Sequence, residues 1–141
     1  MRKEFKHVDD FYEAVDEPSQ REVIDGGRVY VTPAGSVYPS ITSILGRQPK
    51  PGIEEWRKKV GAEEANRIMK ESSELGTMVH NLCEQYLYNL PLKCDYPDES
   101  ISVFDKHRFI LGKEVNIYDL ELPLYSDILK VAGTVDCVAE Y

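Results

Sequence analysis

Between Val79 and Leu90 the apolar residues Val79, Leu82, Cys83, Tyr86, Leu87 and Leu90 recur at i, i+3, i+4, i+7, i+8 and i+11. That is the period of a helix with one buried stripe. Further on the period changes. Val115, Ile117, Leu120, Leu122 and Leu124 alternate or nearly so. In the last stretch Val135, Cys137 and Ala139 point one way, and Thr134, Asp136, Val138 and Glu140 the other. Such alternation marks half-buried strands. A chain with both patterns has to bury a helix stripe and a sheet face together, which predicts a mixed fold, α+β or α/β.

The rest of the chain fits around these two blocks. Residues 1–27 read as a loosely packed arm or short helix, anchored by Phe5, Phe11 and Tyr12 and closed by the turn signal Asp25-Gly26-Gly27. Residues 28–141 read as the folded domain, with 28–112 mainly helical and 113–141 a strand hairpin. A short hairpin is predicted over 28–38, turning at Pro33-Ala-Gly-Ser36. Ser40 is placed to cap a short helix through Ile41, Ile44 and Leu45 that ends at Gly46. After the stiff connector Arg47-Gln-Pro-Lys-Pro51, a helix starts near Gly52 and carries Ile53, Trp56 and Val60 on one face. Gly61 breaks or bends it, and a helical pattern runs on to about Ser72. Gly76-Thr77 start the next helix, which Asn89 and Pro91 end. A fourth helix runs from Glu99 to about Gly112, and Ser126-Asp127 turn the final strands.

Composition removes several classes. No window approaches the ~18 apolar residues of a membrane span. The N-terminal MRKEFKHVDDFYEAVDE lacks the apolar core of a signal peptide. Cys83, Cys94 and Cys137 are an odd set without a CxxC pair, which argues against a disulfide framework, a structural zinc or an iron–sulfur cluster. A reduced, cytoplasmic setting follows. The 17 basic and 25 acidic residues give a net charge of −8, against a broad electrostatic grip on nucleic acid. A metal nuclease is compatible with that balance, because bound cations neutralise clustered carboxylates. The local basic run Arg47, Lys50, Arg57, Lys58, Lys59 and Arg67 is in the first instance a solvated helix face.

Nucleophile and phosphate-loop motifs are missing: there is no GxSxG, Walker or dinucleotide pattern. His80, Glu84, Glu121 and Asp136 remain. Aspartate is disfavoured within strands, so Asp136 beside Gly133-Thr134 calls for a reason. A histidine on a helix with carboxylates on strands can hold Mg²⁺ or Mn²⁺. The competing account makes His80 a helix-edge residue and Asp136 a capping or ion-pairing group. Trp56 reads as a packing anchor rather than a base-stacking platform.

The segments Tyr38-Pro-Ser-Ile-Thr-Ser-Ile-Leu45, Trp56-(x)4-Gly61-Ala-Glu-Glu-Ala65, Gly76-Thr-Met-Val-His80-(x)3-Glu84 and Gly133-Thr-Val-Asp136 occur in this order. Together they resemble the PD-(D/E)XK nuclease superfamily, and within it the RecB-like branch of phage and mitochondrial genome maintenance exonucleases. The resemblance covers about residues 36–141. It implies a restriction-endonuclease-like core, incomplete at the C-terminus, and metal-dependent hydrolysis of DNA phosphodiesters. It implies further that His80 and Asp136 are metal ligands, with Glu121 in support. Ser43, Arg47 and Lys50 fall where the family's helical arch meets DNA. Single strands or ends would be the substrate, in the cytoplasm of a cell or of a phage host.

One element of the pattern is missing. In the family the next strand bears D/E-x-K, and after Asp136 this sequence has only Cys-Val-Ala-Glu-Tyr141. The expectation is therefore an enzyme completed by a second polypeptide, or a homodimer through the open edge of the last strand, inactive alone. A non-catalytic module that binds DNA or protein is the alternative.

Overall fold

The computed structural model describes residues 4–8, 19–24, 27–92, 95–113 and 116–140. Phe11, Tyr12, the Asp25-Gly26 portion of the first turn, Cys94, Val115 and Tyr141 lie outside the described residues. The fold is mixed, with four helices and two small sheets among the described residues. The chain divides into two compact units, one of residues 1–5 and 49–115, the other of 6–48 and 116–140. No helix among the described residues is long and apolar enough to cross a membrane.

The helical unit holds α2 (Pro51–Val60), α3 (Ala62–Leu87) and α4 (Asp98–Leu111). Its buried apolar side chains among the described residues are Phe5, Ala65, Leu82, Tyr86, Leu87 and Phe104. Tyr86 stands edge-on to both Phe5 and Phe104, with ring centroids 5.0 and 5.7 Å away, the arrangement that ring quadrupoles favour. Beyond α3 the chain turns at Asn89 with a φ of 60°, which asparagine tolerates well. The same Asn89 side chain accepts from the Phe5 N–H and donates to the Phe5 carbonyl. It thereby ties the start of the described chain to the end of α3.

One expectation is corrected here. The helices predicted to end near Ser72 and restart at Gly76 are one continuous α3. A glycine within a helix costs about 1 kcal/mol, which a 26-residue helix absorbs. The break expected at Gly61 is present: its φ of 88° and ψ of 150° separate α2 from α3, a conformation close to the region that essentially only glycine adopts. Gly61→Ala should therefore lower stability by about 1–3 kcal/mol in urea unfolding. The space around it is open, so a neutral result would show that α2 re-enters α3 without strain.

The strand-rich unit holds β1 (Lys6–His7), β2 (Gln20–Ile24), β3 (Gly27–Val31), β4 (Val37–Pro39), α1 (Ile41–Gly46), β5 (Asn116–Ser126) and β6 (Val131–Glu140). One sheet has the order β2-β3-β4, all antiparallel, and contains the predicted hairpin. The other has the order β1-β5-β6, with β1 parallel and β6 antiparallel to β5. The region read as an arm or short helix thus contributes two strands. Its few apolar residues hid them, because every residue of β2 is exposed and only its backbone is used. Ser40 stands at the N-cap of α1, but its hydroxyl meets Thr42 Oγ1 at 2.7 Å instead of capping a backbone N–H.

Tyr30, Tyr38 and Ala132 form a buried cluster, with Tyr125 packed against it. The Tyr38 hydroxyl donates to Asp127 Oδ1 at 2.5 Å, and Lys130 Nζ lies 5.8 Å from the ring centre. The β5–β6 turn is pinned further by Lys130 N–H donating to the Ser126 carbonyl. The hydrogen bond to Asp127 holds the Tyr38 phenol above its usual range, because ionising it would leave two anions in contact. The folded chain keeps that proton longer than the unfolded one, so stability falls as pH rises above about 10. Tyr38→Phe should lower stability at pH 7 by the loss of this hydrogen bond. It should also flatten the alkaline decline in a denaturation series from pH 8 to 11.

Candidate metal centre

The register of the β5–β6 ladder sets the geometry. Leu120 pairs with Cys137 and Leu122 with Val135, so Glu121 stands opposite Asp136. The two offer carboxylate oxygens within 4.8 Å of each other. Like charges directly opposite on a sheet repel, and a cation between them would relieve that repulsion. Glu121 also has a φ of 56°. A non-glycine residue in that region costs of order 1–3 kcal/mol and clusters at functional positions. Its Oε1 is shut off from solvent, while Asp136 is exposed.

A bulge between Ile117 and Asp119 precedes this pair and resets which side chains face which way. Ile117, Leu120 and Leu122 are buried, whereas Asp119 and Glu121 are only half-buried. Asp119 Oδ1 accepts from the Leu120 N–H at 2.7 Å. On the other strand, a Cβ on Gly133 would stand 3.1 Å from Ile41 Cγ2. The missing side chain at Gly133 thus makes room for α1.

The remaining predicted residues divide between the units. Ser43 lies in α1, its N–H donating to the Ser40 carbonyl, and Arg47 is the exposed C-cap of that helix. Lys50 is the exposed N-cap of α2 in the helical unit. His80 and Glu84 sit one turn apart on α3, both half-buried. Within the strand-rich unit the structure therefore brings together Glu121 and Asp136.

The basic run is less available than its composition suggests. Arg67 is bound by Glu64 at 2.6 Å and by Glu71 at 2.7 Å. Those contacts raise the Arg67 guanidinium and lower the Glu64 carboxyl from their ordinary values. Arg57 donates to Asn66 Oδ1 and Met69 Sδ across the α2–α3 break. Lys58 and Lys59 are exposed. Burial pushes the Cys83 thiol up, the opposite of what a cysteine nucleophile needs.

The Tyr30 hydroxyl, 2.9 Å from Thr134 Oγ1, is a polar contact beside the pair that sequence reasoning passed over. Nothing in the local pattern of Arg28-Val-Tyr-Val-Thr32 announces a partner 104 residues away. The αL backbone of Glu121 was equally hidden, because glycine and asparagine are its usual signals.

Comparison with family models, with curated proteins and with solved structures finds no match for the chain.

Opposed carboxylates without a glycine on the left-handed backbone make a stability test. In metal-free buffer, Glu121→Asn removes the repulsion and places a residue tolerant of φ above zero. Urea unfolding should show a gain of about 1 kcal/mol. A loss of that size would mean that Glu121 contributes net stability where it stands.

Proposed function

We propose that this chain supplies a portion of the active site of a divalent-metal-dependent DNA exonuclease with a restriction-endonuclease-like core. Asp136 and Glu121 from the strand hairpin would hold Mg²⁺ or Mn²⁺, and the resemblance to the family makes His80 a further candidate ligand. The observation that carries the reading is the cross-strand pair of carboxylate oxygens within 4.8 Å. Two acids in that relation suit a hard cation that prefers oxygen ligands, and the ordered motifs around His80 and Asp136 support the family. The helices followed by an antiparallel strand pair agree with such a core.

The roles follow from the donor set. Asp136, exposed on its strand, would present one oxygen to the metal and leave room for substrate. Glu121, less accessible, would supply the second carboxylate and fix the metal against the sheet. By the resemblance, the imidazole of His80 would serve the same metal. A bound divalent cation lowers the pKa of a coordinated water and stabilises charge on the leaving oxygen. Arg47 and Lys50, both exposed, would contact backbone phosphates, with Ser43 beside them. After Asp136 these residues contain no D/E-x-K. In the family that this chain resembles, a D/E-x-K strand supplies a second acid and a lysine to the same metal.

The test combines the chain with a polypeptide carrying a D/E-x-K strand and follows end-labelled single-stranded and duplex DNA in Mg²⁺ or Mn²⁺. Shortening from the ends should appear and vanish with chelator. His80→Ala and Asp136→Asn should each lower it on the order of 100-fold. Cleavage indifferent to both substitutions would overturn the assignment of the site. DNA binding unchanged by chelator, with no cleavage in any combination, would favour a non-catalytic module.

A further inference from the structure

We propose that the Tyr30 hydroxyl, acting through Thr134, is the positioning element that keeps Asp136 opposite Glu121; for its role in metal binding the inference rests on the site proposed above.

The face of the β5–β6 hairpin that bears the acids can be followed outward from the turn. Tyr125 pairs with Ala132, and this end is covered by Tyr30 and Tyr38. Next, Pro123 pairs with Thr134, whose Oγ1 is 2.9 Å from the Tyr30 hydroxyl. Next along the ladder, between the pairs Leu122–Val135 and Leu120–Cys137, come Glu121 and Asp136, whose carboxylate oxygens lie within 4.8 Å of each other. Thr134 is thus the last contact between the aromatic cluster and the strand before the carboxylates. Tyr30 itself is 1% exposed and belongs to β3, in the other sheet of this unit.

β6 needs such a tie. Its inner edge pairs with β5, but among the described residues its outer edge shows only an isolated bridge, Ser40 with Ala132. In the half that carries Asp136, the backbone pairs with β5, and the Thr134 hydroxyl adds a side-chain tie to β3. Against them act the repulsion of the two acids and the strained backbone at Glu121. A slip of one residue would send Asp136 to the opposite face. It would also pull the Tyr30 and Thr134 hydroxyls apart, and leaving a buried polar group unpaired costs more than the net worth of its hydrogen bond. The pair thereby penalises the slipped register and fixes the facing of the acids.

The experiment uses the full chain with Tyr30→Phe, which keeps the ring, Thr134→Val, which keeps the shape, and Thr134→Ser, which restores the hydroxyl. Mn²⁺ alone is the first probe. Tyr30→Phe and Thr134→Val should each weaken Mn²⁺ binding about tenfold, the double variant no further, and Thr134→Ser should bind nearly as the parent does. The second readout needs no metal: melting at pH 8 and low salt, with and without Asp136→Asn. Asp136→Asn should raise the melting temperature of the parent by relieving repulsion, and raise it less than half as much in Tyr30→Phe. Lower melting temperatures with Mn²⁺ affinity and the Asp136→Asn gain both unchanged would overturn the proposal, leaving the hydroxyl pair a packing contact. A parent that ignores Mn²⁺ yet shows the melting-temperature coupling would sink the metal reading and sustain the positioning role. Absence of both would remove the two together.

Discussion

The antiparallel ladder between β5 and β6 is the constraint on which the rest of the strand-rich unit depends. Its turn end is locked by Tyr38 on Asp127 and by the Tyr30–Tyr38–Ala132 cluster, and its far end receives β1 at Asn116 and Ile117. Between them the register places Glu121 opposite Asp136. A shift of one residue would bury charge and expose leucine, because Leu120 and Leu122 occupy the other face. The hydrophobic pattern thus dictates where the carboxylates stand.

That placement has an energetic cost. Like charges face each other across the sheet, Glu121 holds a left-handed backbone, and one of its oxygens is cut off from water. Each feature alone is worth about 1 kcal/mol or somewhat more, a noticeable share of the roughly 5–15 kcal/mol that stabilises a domain. A divalent cation would offset the repulsion and give the buried oxygen a ligand role. This coincidence of costs at one pair, rather than the acidic composition, is what supports a metal-binding function.

Much of this was legible in the chain. The helical stripe from Val79 to Leu90, the hairpin within 28–38, and the closing strand pair are all present, because each has a clear hydrophobic period or turn chemistry. Asp136 could be singled out because aspartate within a strand contradicts its propensity. What escaped notice had no local signal. β2 uses its backbone and exposes all its side chains. The continuity of α3 through Gly76 is decided by length and packing, which outweigh one glycine. The bulge at Ile117/Asp119 shifts the facing of everything after it by an amount that alternation alone does not reveal.

The electrostatics fit a site that handles anions locally rather than by bulk attraction. The chain carries a net charge of −8, and some of its basic run is occupied within the helical unit by Glu64, Glu71, Asn66 and Met69. Attraction for a phosphate backbone would then depend on the cation and on a few exposed groups such as Arg47 and Lys50. The most direct measurement is an anomalous difference map from crystals soaked in Mn²⁺. The account predicts a peak within coordination distance of both the Asp136 and Glu121 carboxylates, lost in Asp136→Asn. A map with no peak at that pair, at a Mn²⁺ concentration that labels other acidic groups, would contradict it.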